Sequence, residues 1–217
     1  MQSRLASYIQ ERTRILAAMS HDLKTPITRL RLRTELLDDN ELKAKFDKDL
    51  QEMESMVAAT LDFMRGMERQ EAARPVDIMA LLESLQADGE EMGQKIRLQG
   101  STVRPFPCVS AAIRRCLGNL IDNAVKYGME ADIAVCDSEK QLEIRIRDHG
   151  QGIPDAQLEQ VFEPFFRLEA SRSRDTGGTG LGLSIARNVA QAHGGELVLR
   201  NLVTGGLEAL LVLPRTN

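Results

Sequence analysis

The chain has 217 residues, 42% of them hydrophobic and 28% charged, a composition typical of a globular protein with one large domain or two small ones. A formal net charge of −4 disfavours nucleic-acid binding, because the sequence-independent part of that affinity comes from clustered Lys and Arg facing phosphates. No stretch reaches the roughly 18 consecutive apolar residues of a membrane span, so we expect this part of the protein to make no membrane contact.

The first part of the chain carries an apolar side chain at every seventh position. These positions are Ile9, Leu16, Leu23, Leu30 and Leu37. A second apolar stripe beside them contains Met19, Ile27 and Leu36. A heptad spacing is that of a coiled-coil seam, and here it predicts one long helix.

A second helix is predicted after the turn at Asp38-Asp39-Asn40, whose side chains are those of a helix N-cap. Two interleaved series of residues have the same spacing of seven: Phe46, Met53 and Thr60, and Leu50, Val57 and Met64. Because two antiparallel helices alone have too little core to be stable, we expect the hairpin to pair with a second copy in a dimeric four-helix bundle. The protein is therefore predicted to be a homodimer.

A polar segment at residues 69–75 is the predicted linker between this dimerisation domain, residues 1–68, and a second domain, residues 76–217. In the second domain, helical and strand patterns alternate. Helices are predicted near 77–92, 109–127 and 179–193, and strands near 96–100, 131–136, 141–147, 196–200 and 207–213. Such a mixture predicts an α/β sandwich with helices on one face of a largely antiparallel sheet.

All three cysteines, Cys108, Cys116 and Cys136, fall in this second domain. Their number is odd and they lack CxxC spacing, which disfavours a disulfide framework or a zinc site and favours a reducing cytosol. We therefore predict three buried, inert thiols.

His21 lies on the side of the first helix opposite Leu23, at about 100° per residue, and is therefore predicted to face solvent. Thr25 follows one turn later on the same face, and the adjacent Asp22 is close enough to accept a proton or orient the ring. Pro26 removes a helical hydrogen bond and is expected to bend the helix here. A largely neutral imidazole has one ring nitrogen available as a nucleophile, although a lone surface His more often does no chemistry.

A predicted helix carries the segment from Asn119 to Tyr127, in which Asn119 and Asn123 share one face. Neutral amide oxygens suit a Mg²⁺ ion that keeps several waters and is held mainly by phosphates. Lys126 offers those phosphates a positive charge. Two Asn on a helix are more often ordinary surface residues, so this motif alone does not identify a site.

Two glycine-containing segments follow. Asp148-His149-Gly150-Gln151-Gly152 comes directly after a strand, where the glycines allow close backbone approach and Asp148 is an acceptor suited to an adenine amino group. Residues 177–183, Gly-Gly-Thr-Gly-Leu-Gly-Leu, open a helix, and the N–H groups of a helix start bind anions. The second segment is neither a P-loop nor a dinucleotide fingerprint, and taken alone it is as often an ordinary turn.

Between these two segments, Phe162-Glu163-Pro164-Phe165-Phe166-Arg167 precedes a polar stretch that contains Arg172 and Arg174. This composition predicts a mobile lid. Its aromatic side chains would pack when the lid is closed, and its arginines would reach phosphate.

In combination, these motifs resemble those of the bacterial sensor histidine kinases. His21-Asp22-Leu23-Lys24-Thr25-Pro26 resembles the phospho-acceptor box of that family, and the helical hairpin resembles its dimerisation and phosphotransfer domain. The Asn helix, the Asp-x-Gly-x-Gly turn, the Phe-rich segment and the Gly-rich helix start match, in this order, the boxes of its ATP-binding domain. The resemblance covers nearly all of residues 1–214 and is greatest to proteobacterial osmosensor-type kinases.

The resemblance implies a Bergerat-type ATP-binding fold, phosphorylation of His21 by ATP with Asp22 as the base, and transfer to an aspartate of a response regulator. Thr25 would position water when the same enzyme dephosphorylates that partner. Mg²⁺ is implied at Asn123 with Asn119 nearby. The other implied nucleotide contacts are Lys126, Tyr127, Asp148, Gly150, Gly152, Arg167, Gly178, Thr179, Gly180, Leu181 and Gly182.

The resemblance also implies that the full-length protein carries a membrane-spanning sensor and that this part is cytoplasmic. The response regulator would dock on the bundle below His21, near Thr28 and Arg31. Flexing at the linker would bring the γ-phosphate to His21 of the same or the other protomer.

Two other hypotheses compete with this one. An ATPase switch of the gyrase, mismatch-repair or chaperone kind shares the fold, but those relatives have a Glu at the position of Asn119 to activate water, and Asn cannot act as that base. A catalytically silent dimeric scaffold would not need the complete set of motif residues.

Overall fold

A computed structural model of the chain describes residues 23, 25–37, 39–66, 72–168 and 178–215. Two compact units are present, a helical unit within residues 1–70 and 169–181, and an α/β unit within residues 71–168 and 182–217. Within the described ranges, no helix is long and apolar enough to cross a bilayer.

The helical unit contains α1, residues 25–34, and α2, Asn40–Gly66. Asp39 caps α2, because its Oδ1 accepts hydrogen bonds from the N–H groups of Glu41 at 2.9 Å and Leu42 at 3.1 Å. The predicted N-cap and second helix are therefore confirmed. Of the first predicted helix, residues 1–22 lie outside the described part of the chain.

One apolar stripe of this hairpin is buried within a single chain. Ile27 is 2% exposed and Leu50 is 4% exposed. Thr34 on α1 is also buried, and its Oγ1 donates to the Arg31 carbonyl at 2.7 Å. Arg31 in turn pairs with Glu54 across the hairpin at 3.2 Å. A second stripe stays 44–49% exposed and contains Leu23, Leu30, Phe46 and Met53. The hairpin alone therefore covers only part of its apolar surface.

The α/β unit is built on a five-stranded sheet of order β2-β4-β5-β7-β6. Its strands are β2 Lys95–Ser101, β4 Glu130–Asp137, β5 Gln141–Arg147, β6 Glu196–Asn201 and β7 Leu207–Pro214. Only the β2–β4 pair is parallel in this sheet, and the other three pairs are antiparallel. The predicted, largely antiparallel sheet is confirmed.

Three helices pack on this sheet, namely α3 Ile78–Glu91, α4 Ser110–Gly128 and α5 Gly182–Ala192. Asp77 caps α3 by accepting a hydrogen bond from the Ala80 N–H at 3.1 Å. Strand alternation sends Ile133, Ile144 and Leu211 into the core, while charged residues such as Arg145 occupy the opposite face. One face of the sheet is thus covered by helices, as predicted.

Two short strands were not predicted. β1, Arg74–Val76, pairs antiparallel with β3, Phe106–Cys108, and the first two residues of β1 fall in the predicted linker. Strands of three residues are too short to show a period in the sequence. The last helix begins at Gly182 rather than near residue 179, because Gly180 has a positive φ of 70° that the start of a helix cannot accept.

The prediction of three buried thiols is wrong for Cys136. Cys108 and Cys116 are fully buried, and burial raises their pKa values to about 11 and about 12 respectively. Cys136 follows the buried Val135 on β4, so strand alternation turns it outward, and it is exposed.

Candidate nucleotide-binding site

The C-terminal end of α4 packs tightly against the loop that follows β5. A Cβ atom at Gly128 would lie 2.5 Å from the Cβ of Asp148, and one at Gly150 would lie 2.5 Å from the carbonyl oxygen of Tyr127. Real Cβ atoms do not approach other atoms so closely, so this contact requires glycine on both sides. It places Asp148 directly beside the end of the helix that carries the Asn pair.

Asp148 is oriented by hydrogen bonds to one of its two carboxylate oxygens. The side chain is buried, and its Oδ1 accepts from the N–H groups of Gly150 at 2.8 Å and Leu207 at 3.1 Å. None of the described residues donates a hydrogen bond to its Oδ2. A fixed carboxylate with one available acceptor oxygen is suited to read an exocyclic amino group.

A row of polar side chains runs along α4 from this end. Asn123 and Asn119 are partly buried on successive turns, and the Nδ2 of Asn119 is buried with no hydrogen-bond partner among the described residues. Leaving a buried amide donor unsatisfied costs about 1–3 kcal/mol, so the arrangement fits a ligand that offers an acceptor there. Amide oxygens at both positions also suit a hard cation such as Mg²⁺.

The N-terminus of α5 lies against the same row. A methyl group at Gly182 would lie 3.6 Å from the Cγ and the Oδ1 of Asn119. The first N–H groups of a helix have no intrahelical partners and attract anions, so a phosphate between α4 and α5 would meet donors from both helices. Preceding α5, the Oγ1 of Thr179 accepts a hydrogen bond from the Leu181 N–H at 3.3 Å.

Charge near the Asp148 end of this row is mixed. The Nζ of Lys126 lies 5.0 Å from the centroid of the Tyr127 ring. Burial raises the pKa of the Asp122 carboxyl, and the neighbouring Lys126 opposes that rise. Lys126 is therefore held near both an aromatic ring and a carboxylate on the helix.

The Phe-rich segment is anchored to α5 at its start. Phe162 is 7% exposed in a short 3₁₀ turn, and the guanidinium of Arg187 on α5 lies 4.4 Å from the centre of its ring. Arg187 also pairs with Glu159 at 2.9 Å. Phe165, by contrast, is 62% exposed and has a φ of 66°. The predicted lid arginines at 172 and 174 lie outside the described residues.

The structure thus brings together several of the predicted site residues within the α/β unit. These are Asn119, Tyr127, Asp148, Gly150 and Gly182. Thr25 is exposed on α1, and His21 and Asp22 lie outside the described part of the chain. Gly128 and Arg187 were not predicted as site residues, although Gly128 directly follows the Asn-helix motif in the sequence.

An α/β sandwich with this Asn helix, Asp-centred loop and Gly-rich helix start defines an ATP-binding domain. Residues 108–217 match the family of histidine kinase-, DNA gyrase B- and HSP90-like ATPases, and residues 11–69 match the His Kinase A (phospho-acceptor) domain. The chain belongs to the sensor histidine kinases.

Known relatives agree with this assignment. Sensor histidine kinase GtrS of Pseudomonas aeruginosa is 42% identical over 219 residues, which cover 99% of this chain and 44% of GtrS. The structure of full-length ShkA in complex with AMPPNP has a TM-score of 0.70 at 22% identity and covers 94% of this chain and 46% of ShkA. The ATP-binding domain of PrrB from Mycobacterium tuberculosis has a TM-score of 0.51 at 30% identity, covering 68% of this chain and all of that domain. The chain therefore spans less than half of GtrS.

Proposed function

We propose that this chain is a kinase core that phosphorylates its own His21 with ATP and then passes the phosphoryl group to an aspartate of a response regulator. The observation that carries the proposal is the oriented carboxylate of Asp148, fixed beside the end of the helix that bears Asn119 and Asn123. Supporting it, a phospho-acceptor domain model matches residues 11–69 of the same chain.

In this proposal, Asp148 accepts a hydrogen bond from the adenine amino group. Gly152 and Tyr127 complete the adenine end. The phosphates extend along α4 toward the start of α5 at Gly182, which supplies N–H donors, while Lys126 and Arg167 supply charge. Asn123 and Asn119 would hold Mg²⁺, which neutralises phosphate charge when it is bound.

The chemical step is an in-line displacement. The distal ring nitrogen of His21 attacks the γ-phosphorus, the bond to the bridging oxygen breaks, and ADP leaves with that electron pair. Asp22 accepts the proton from the other ring nitrogen. The phosphoryl group then moves from His21 to the carboxylate of a regulator docked near Thr28 and Arg31, which restores the free imidazole. In the separate phosphatase activity, Thr25 positions the water that hydrolyses the aspartyl phosphate of that regulator to inorganic phosphate.

The proposed working form is a homodimer. Leu23, Leu30, Phe46 and Met53 are nearly half exposed in one chain and recur at heptad spacing. Apolar stripes with this spacing are buried when a second hairpin packs against them. The full-length protein is proposed to be membrane-anchored with this part in the cytoplasm, in keeping with the family resemblance.

The central test is incubation of the chain with γ-labelled ATP and Mg²⁺. We expect the chain to acquire a label that is acid-labile and alkali-stable, as a phosphoramidate is, and the His21→Ala variant to acquire none while it still binds ATP. Stable labelling of that variant, or no labelling of the unaltered chain, would contradict the proposal.

A second test addresses the cation. Asn123→Asp adds a negative charge beside the phosphates and is expected to weaken the binding of Mg-ATP, measured by calorimetry. Asn40→Asp, a change of the same kind on an exposed residue of the helical unit, is the control and should leave binding unchanged. Equal affinity of the Asn123 variant and the unaltered chain would remove Asn123 from the cation site.

A further inference from the structure

Arg115 lies on α4 one turn before Asn119, at the end of the polar row farthest from Asp148. Side chains four positions apart on a helix are neighbours on its surface. The Nε of Arg115 is buried, and no described residue accepts a hydrogen bond from it. A guanidinium carries only donors, so a buried Nε without an acceptor lowers stability unless a ligand supplies one.

The guanidinium of the preceding residue, Arg114, has hydrogen-bond acceptors on a neighbouring helix. Its guanidinium pairs with Asp88 at 2.6 Å and donates to the Oγ of Ser84 at 3.2 Å, both on α3. Arg114 is thus part of the packing between α3 and α4. For Arg115, no ion pair exists within the described ranges of the chain. The two adjacent arginines therefore have different roles.

Arg115 and Asn119 present unsatisfied buried donors on consecutive turns of the same helix. A single oxyanion can accept hydrogen bonds from both. The position of this oxyanion relative to the base can be inferred, because Asp148, the proposed contact of adenine, packs against Gly128 at the other end of α4. From position 128 back to position 115 the helix rises about 20 Å, so Arg115 lies at the end of the polar row opposite the proposed position of the base.

We propose that Arg115 binds the terminal phosphate of ATP and so distinguishes ATP from ADP. The inference rests on the proposed nucleotide site and adds one residue to it. Both the Nε of Arg115 and the Nδ2 of Asn119 would then donate to γ-phosphate oxygens. ADP, which lacks that phosphate, would leave the Arg115 donor unsatisfied.

The test measures the affinity of the full chain, with Mg²⁺, for ADP and for the non-hydrolysable analogue AMPPNP by calorimetry. Arg115→Met keeps the aliphatic stem and removes the donors, and Arg114→Met is the matched control. We expect Arg115→Met to weaken AMPPNP binding by about tenfold or more and ADP binding by less than about twofold, since a charge-assisted hydrogen bond to the third phosphate is lost. Arg114→Met should change neither affinity.

A thermal unfolding scan without nucleotide completes the test. Because Arg115→Met removes a buried unsatisfied donor, its melting temperature should be at least that of the unaltered chain. Equal losses for ADP and AMPPNP, or no loss for either, would overturn the role of Arg115 alone. If the unaltered chain binds neither nucleotide, the proposed function itself fails.

Discussion

The helical unit and the α/β unit bury their apolar side chains to very different extents. In the α/β unit, Ile133, Ile144 and Leu211 on three strands are at most 1% exposed. In the helical unit, Phe46 and Met53 on successive heptads of α2 are 44% and 45% exposed. The α/β unit completes its core within one chain, whereas the described part of the hairpin does not.

One ion pair from each unit shows the same difference. In the hairpin, Lys45 and Glu41 pair with side chains that are 68% and 81% exposed. In the α/β unit, Arg215 and Asp137 pair with side chains that are 2% and 0% exposed, and Arg215 also donates to the Arg104 carbonyl at 2.8 Å. The α/β unit is therefore stabilised from within the chain, whereas under the proposed homodimer we expect the stability of the hairpin to depend on protein concentration.

The largest expected effect comes from breaking the buried pair. Asp137→Asn leaves the guanidinium of Arg215 buried without a counter-charge, which should lower the free energy of unfolding of the α/β unit by about 3–5 kcal/mol. Glu41→Gln removes an exposed pair in the hairpin and should cost less than about 1 kcal/mol. Urea denaturation followed by circular dichroism measures the free energy of unfolding of both variants. Equal losses of stability in the two variants would contradict the difference between the units.

The same pair predicts a pH dependence. Burial raises the pKa of the Asp137 carboxyl, but hydrogen bonds from Arg215 and from the Val103 N–H outweigh burial, and the net pKa lies below its usual value. The stabilisation is therefore fully present above the unfolded pKa of about 3.9 and is lost as the pH falls through the lower folded value. The Asp137→Asn variant should lack this part of the acid dependence.

An intermediate effect is expected from the exposed stripe of the hairpin. Phe46→Glu places a charge where a second copy would bury an aromatic ring, at a cost of about 1.5–3 kcal/mol per chain. Sedimentation equilibrium should show a shift from dimer to monomer. Leu32→Glu is the control, because Leu32 is 65% exposed and lies outside the heptad stripes. A dimer that survives Phe46→Glu as well as Leu32→Glu would not use this stripe.

The smallest effect concerns the end of α4. Met129 follows that helix with a φ of 66° and is 81% exposed, so its side chain contributes little packing while its backbone is in the left-handed region. Met129→Gly should stabilise the α/β unit by about 1 kcal/mol. Met92→Gly at the end of α3, where φ is −87°, is the control and should not stabilise the α/β unit. The melting temperatures of the two variants test this expected difference.

Where the sequence has a strong period, it predicts the fold well. Leu142, Ile144 and Ile146 alternate with charged residues, and the predicted strand 141–147 matches β5. β1 and β3 could not be predicted, because each has three residues and is held by the pairing of Val76 with Phe106, which depends on tertiary structure.

For the site, Asn119 and Asp148 are predicted from the family resemblance that the order of the motifs carries. The approach of Gly128 to Asp148 and the stacking of Arg187 on Phe162 were not predictable, since each joins segments that are distant in sequence. The unsatisfied Nε of Arg115 is likewise a property of packing, which no residue pattern reveals.

The three cysteines lie in different environments, and this difference allows site-specific labelling of the folded chain. Cys108 and Cys116 are buried in the core, and their raised pKa values keep both thiols protonated at neutral pH. A maleimide reagent would therefore react slowly with both. Cys136 stands outside the core on β4. A single fluorophore could therefore be attached to the folded chain without removing any cysteine, giving a reporter for distance measurements from a fixed point on the sheet.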